Sequence, residues 1–266
     1  MKIIIIGNGF DLNLGLKTSY KDFIESENFD LLVEKENTLA LYLDEKREIN
    51  NWVDIERELT NYSIQIQDDK KTVKDDFKEL KNSLIDYLKE AQEKEINQNS
   101  KAFEMIKSEI SDTDIIFNFN YTNSVFKIGE ILGIPNIASK HSYVHGSIEN
   151  KDIIFGVEDS ARINNEHIFF KKSYNPNFTN SNIISILQNE KFDLIIFGHS
   201  LGITDSSYFE NYFSFRVHIK SDSKLKIFHY GDEGYDEIMT ILDNYTASNL
   251  TNFKHNNKLE FIDSSI

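Results

Sequence analysis

Four consecutive isoleucines, Ile3 to Ile6, run directly into Gly7-Asn8-Gly9, and no other feature of the chain restricts its fold as much. A strand with one face in water alternates apolar and polar residues. A continuous β-branched run instead suits a strand buried on both faces, as in a parallel sheet covered by helices. Comparable runs recur. Ile115-Ile116-Phe117 precedes Asn118-Phe119-Asn120, Ser142-Tyr143-Val144 precedes His145-Gly146, and Ile153-Ile154-Phe155 precedes Gly156. Leu194-Ile195-Ile196-Phe197 precedes Gly198-His199-Ser200, and Leu225 to Phe228 and Leu259 to Ile262 are weaker strand candidates. The expected class is α/β with a mostly parallel sheet.

Between the first two strands the pattern changes. Val73, Phe77, Leu80, Leu84 and Leu88 recur at helical spacing, while Lys, Glu and Asp fill the other positions. The polar run from Glu90 to Lys101 reads as a loop. We therefore expect a Rossmann-like domain from residues 1–24 and 111–266, with a helical insertion over 25–110. The polar, unperiodic stretch from Glu158 to Asn182 reads as an irregular flap near the strand ends.

Composition removes several classes of function. The formal net charge is −15 on 266 residues, with no visible run of basic residues, which argues against binding nucleic acid or an anionic membrane. Cysteine is absent, so disulfides, thiolate nucleophiles and Cys-type zinc sites are not expected. No His, Asp and Glu spacing resembles a metal site, and no metal is expected. The first strand-like run follows Met1 and Lys2, leaving no room for a leader, and no apolar stretch approaches the ~18–20 residues of a membrane helix. A cytoplasmic protein is expected.

Each distinctive polar cluster follows a strand-like run, and ligands of open α/β sheets bind beyond the carboxyl ends of the strands. In Gly7-Asn8-Gly9-Phe10-Asp11 the glycines allow a sharp turn and leave amides for a phosphate or ribose, although a carboxylate at a helix start opposes a phosphate there. The alternative is a tight turn into a helix capped by Asp11. His145, between a strand end and Gly146, can act as a general base near neutrality. Asn120 can orient a water or a ribose hydroxyl. Gly198-His199-Ser200-Leu201-Gly202 matches the nucleophile elbow of hydrolases, or else a turn whose Ser200 caps the following helix. Trp52-Val53-Asp54-Ile55-Glu56 reads best as a buried Trp with surface acids.

These strings resemble a known family. Gly7-Asn8-Gly9-Phe10-Asp11 with Gly15-Leu16, Thr18, Tyr20 and Phe23, then Trp52-x-Asp54-Ile55-Glu56, Asn118-Phe119-Asn120-Tyr121-Thr122, His145-Gly146, Gly198-His199-Ser200-Leu201-Gly202 and Asp205, are similar to the AbiH family of phage abortive-infection proteins. The motif order also resembles, more distantly, sirtuin-like NAD-binding domains. Those domains usually carry Gly-Ala-Gly-x-Ser where Gly7 to Asp11 stand, a proline at Lys17 and an Asp at Thr122.

The resemblance implies a sirtuin-like sheet domain that hydrolyses NAD to nicotinamide and ADP-ribose. His145 and Asn120 would be catalytic. Gly7, Asn8, Gly9, Phe10, Asp11, Thr18, Gly146, Gly198, His199, Ser200 and Asp205 would line the dinucleotide site. NAD is the expected substrate or ligand, and a homo-oligomer or a defence-system partner the expected companion. A non-catalytic nucleotide-sensing module and a serine hydrolase using Ser200 are the alternatives.

Overall fold

The computed structural model describes residues 1–49, 54–65, 69–178, 182–188 and 192–265. The chain forms two compact units: Met1–Leu16, Glu95–Val144 and Ser181–Ile266 make the first, and Lys17–Lys94 with His145–Asn180 the second. Along the sequence, the second unit is thus supplied by two insertions into the first. The sequence placed boundaries at 25 and 111 and did not join residues 145–180 to the helical interval.

The first unit is built on a six-stranded sheet: β1 (Lys2–Ile6), β2 (Ile115–Asn118), β3 (His141–Tyr143), β4 (Asp193–Phe197), β5 (Lys224–His229) and β6 (Lys258–Asp263). Their order is β3-β2-β1-β4-β5-β6, and every pairing is parallel. This is the doubly wound Rossmann order. In β1 the pattern of continuous apolarity has its physical cause. Ile3 and Ile5 pack on one side with Phe209, Phe213 and Leu242, while Ile4 and Ile6 pack on the other with Phe10, Phe103 and Ile128. All four isoleucines are fully buried.

The second unit is helical. The helix Lys70–Gln92 buries Val73, Phe77, Leu80, Leu84 and Leu88, as the spacing requires, and Asp69 accepts a hydrogen bond from the Thr72 amide at its start. It extends three residues, Glu90 to Gln92, into the stretch expected to be a loop. Ser19 and Asp22 form a reciprocal capping box on the helix Tyr20–Ile24.

One expected strand is absent. Ile153 to Phe155 forms no strand and instead belongs to the second unit. The Ile154 amide donates to the His145 carbonyl at 2.7 Å, Asn175 Nδ2 donates to the Ile153 carbonyl, and Phe155 stacks on Phe77 with ring centroids 5.4 Å apart. A short apolar run reports burial, and burial here is against a helix and an aromatic cluster rather than between sheet neighbours. The expected flap is irregular over much of its length but includes short 3-10 turns at Asn165–Phe170 and Lys172–Tyr174. Among the described residues, no helix is long and apolar enough to cross a membrane.

Phe213 is fully buried and stacks on Tyr245 with an interplanar angle of 3°. Phe213→Ala is expected to lower the free energy of unfolding by about 3–5 kcal/mol, read from urea denaturation.

Candidate functional site

The strand order reverses between β1 and β4, and in doubly wound sheets the crevice beyond the carboxyl ends at that point receives the ligand. Here the turns that leave the two strands are in direct contact. The Gly7 amide donates to the Phe197 carbonyl at 3.0 Å, and the Gly9 amide donates to the Gly198 carbonyl at 2.8 Å. A Cβ on Gly9 would sit 2.7 Å from the Gly198 Cα, and one on Gly198, at φ +65°, only 2.1 Å from the Phe10 nitrogen. The glycines therefore serve the contact between turns, and their amides point at the neighbouring turn. Asn8 and Gly9 keep partial exposure, whereas Phe10 is buried edge-on against Phe197.

Asp11 does not cap a helix. The helix Asn8–Asn13 begins three residues before it, with Gly7 at the cap position. Its carboxylate is fully buried and accepts hydrogen bonds from Ser124 Oγ at 2.6 Å and Thr122 Oγ1 at 2.5 Å. Burial pushes its pKa up to about 6, against the opposing effect of hydrogen bonds from Ser124, Thr122 and Asn120. Asn120 ties the turn after β2 to the turn after β1: its amide Nδ2 donates to the Gly7 carbonyl at 3.1 Å, and its backbone N–H donates to Asn118 Oδ1 at 2.8 Å. Asn120 is itself buried.

His199 lies edge-on to Phe119 and Phe209, with ring centroids 4.3 and 4.9 Å away. Its Nδ1 accepts the Leu201 amide at 2.9 Å, which leaves the proton on Nε2, 3.6 Å from Asp205 Oδ2. The imidazole is therefore anchored through Nδ1 and packed between two aromatic rings, with the Asp205 carboxylate near its other nitrogen. Ser200 is exposed and its Oγ accepts the Gly202 amide at 3.3 Å. The positive φ values in this turn fall on Gly198 (+65°) and Leu201 (+57°), not on Ser200, and the α-helix that follows, Ser206–Arg216, has Asp205 at its cap position. A nucleophile elbow needs its strained residue and its helix at the serine.

The first unit thus brings together Gly7 to Asp11, Asn120 and Gly198 to Asp205. Thr18, His145 and Gly146 belong to the second unit, where His145 is buried. Gly146, at φ +76°, approaches the Asp152 carbonyl so closely that a Cβ would lie 2.4 Å from it, and Asp152 Oδ1 accepts the Ser147 amide at 2.7 Å. Its glycine therefore shapes a local turn.

Trp52 lies outside the described residues. Asp54 starts the helix Ile55–Gln65 by accepting the Arg57 amide. Glu56 is not a surface acid: it is buried, 3.1 Å from the equally buried Lys172 Nζ, and accepts from the Tyr20 hydroxyl at 3.2 Å. Sequence reasoning missed Lys172, Thr122 and Ser124 as members of buried networks. For the last two, hydroxyls closely following a strand-end asparagine were the available signal.

A family model described as bacteriophage abortive infection AbiH matches residues 3–221. Comparison with curated proteins and with solved structures yields no match.

The raised pKa of Asp11 has a defined sign. The unfolded carboxyl releases its proton near 3.8 and the folded one near 6, so the folded state holds more protons between those values. The contribution of this group to stability therefore falls as pH rises through that window, by on the order of 3 kcal/mol in total. Urea unfolding measured from pH 4 to 7 should show this decline in the native chain and lack it in Asp11→Asn.

Proposed function

The chain belongs to the AbiH family of bacteriophage abortive-infection proteins, whose role is antiphage abortive infection, and from that premise we propose that it acts by hydrolysing NAD. The observation that carries this reading is the switch point itself. The reversal between β1 and β4 gathers Gly7 to Asp11, Asn120 and Gly198 to Asp205 at one end of a Rossmann-ordered sheet, the place where such sheets take nucleotides.

A second observation supports the sirtuin-like resemblance that supplies the substrate. That resemblance expects a hydroxyl at position 11 and a carboxylate at position 122. The chain has Asp11 and Thr122, and the two side chains are hydrogen-bonded to each other. These two of the departures form one exchange within a touching pair.

In the proposed reaction, water adds to C1′ of the nicotinamide ribose, the C1′–N bond breaks, and nicotinamide leaves as a neutral molecule. The proton of the attacking water passes to a base, the role the sequence gives to His145. With its amide nitrogen committed to Gly7, Asn120 would offer Oδ1 to the water or to a ribose hydroxyl. A neutral leaving group asks the protein mainly for orientation.

Purified protein incubated with NAD should release nicotinamide. Asn120→Ala and His145→Ala, verified as folded by circular dichroism, should each lower the rate by about 100-fold or more. No release from the native chain, or undiminished release from both variants, would overturn the assignment.

A further inference from the structure

The second unit contains an open cavity of about 350 Å³ whose chemistry differs from that of the rest of the chain. One wall is the helix Lys70–Gln92, which contributes Lys74, Lys78 and Lys81. These residues are spaced by four and three and therefore share a helix face. Lys171, which pairs with Val157 in an isolated bridge, adds a fourth amine, with its Nζ donating to the Asp159 carbonyl at 2.6 Å. In a chain of net charge −15, Asp75 is the one carboxylate among the lining residues set against these four lysines, and the Asp152 carboxylate acts on Lys81 from outside the lining.

The rest of the lining is aromatic. Phe77 and Phe155 stack at an interplanar angle of 15°, Phe169 packs against Phe77, and Tyr174 is half exposed at the rim. Lys74 lies over the Tyr174 ring, 5.6 Å from its centroid. The volume falls in the range of small-molecule sites, and it is too small for a folded partner.

Lysines in a row on one helix face repel one another, so this arrangement costs the isolated helix stability. Lys81 is half-buried, and that burial holds its pKa below the ordinary value. An anion in the cavity relieves both effects, and the flat apolar floor gives an attached ring a surface to stack on.

We propose that this cavity binds a nucleotide, with its phosphates on Lys74, Lys78, Lys81 and Lys171 and its base against Phe155, Phe169 and Tyr174. The site is separate from the switch point of the first unit and does not depend on the NAD reading.

The test is isothermal titration of the full chain with AMP and ATP, with adenosine and inorganic phosphate as partial ligands. The Asn120→Ala background removes a contribution from the switch point. AMP or ATP should bind there. Lys78→Glu and Lys81→Glu, on exposed and half-exposed positions of one helix, should each weaken binding about tenfold or more, and raised salt should weaken it further. Tyr174→Ala should weaken AMP while leaving inorganic phosphate unchanged.

Absence of nucleotide binding, or binding unchanged in both charge reversals, would overturn the proposal. So would adenosine binding as tightly as AMP, which would remove the phosphate from recognition, or inorganic phosphate binding as tightly as AMP, which would remove the ring. Binding lost in Asn120→Ala but kept in the lysine variants would assign the nucleotide to the switch point instead.

Discussion

The contact between the turns after β1 and β4 is the constraint on which the first unit rests. Two parallel strands end side by side, and their turns meet backbone to backbone through Gly9 and Gly198, with a hydrogen bond of 2.8 Å and no space for a Cβ on either. The approach fixes where the helix Asn8–Asn13 starts. It also sets the depth at which Asp11 is buried, and hence which hydroxyls must follow β2 to satisfy it. A buried carboxylate left without those donors would be strongly destabilising. The polar identity of the turn after β2 thus follows from a steric fact about the turn after β1.

Much of this was legible in the sequence because parallel sheets announce themselves. Apolar runs with no polar alternation mark strands covered on both sides, as in β1, β2 and β4, whereas β3, β5 and β6 carry polar residues and are partly buried, and they were legible only as weaker runs. The helix Lys70–Gln92 was legible through its 3.6-residue period. Ile153 to Phe155 was misread for a physical reason. Three apolar residues carry no period, and the ring partners of Phe155, Phe77 and Tyr20, are remote in sequence. The ion pair of Glu56 with Lys172 was hidden for the same reason, because its members are 116 positions apart and each alone reads as a surface residue.

For the candidate site, the sequence singled out Gly7 to Asp11, Asn120 and Gly198 to Asp205, which the first unit gathers, along with Thr18, His145 and Gly146, which belong to the second unit, but not what these residues do for one another. Glycine in a turn signals close approach without saying to what. Here it is another turn, where the reading from sequence set amides open to a ligand beside a tight turn into a helix. Asn120 and His199 read as chemical groups facing a crevice. In the folded chain their polar atoms first secure the turns, through the Gly7 carbonyl and the Leu201 amide. Such residues are pre-organised by the scaffold, as a binding site requires, since rotamers locked by packing and hydrogen bonds need no ordering when a ligand arrives.

The same limit applies to charge. A linear scan finds no basic run, and the excess of acidic residues argues against anionic partners for the molecule as a whole. Lys74, Lys78 and Lys81 are separated by acidic and apolar residues in sequence, so they form no unbroken run. Helical geometry removes the separation by placing residues three and four apart on one face. Folding then adds Lys171, and aromatic side chains from residues 155 to 174 close the floor. Net charge governs long-range steering, which decays within about 8–10 Å at physiological ionic strength. Inside a cavity of this size, the field an anion meets is set by the four nearest amines and not by the total of the chain.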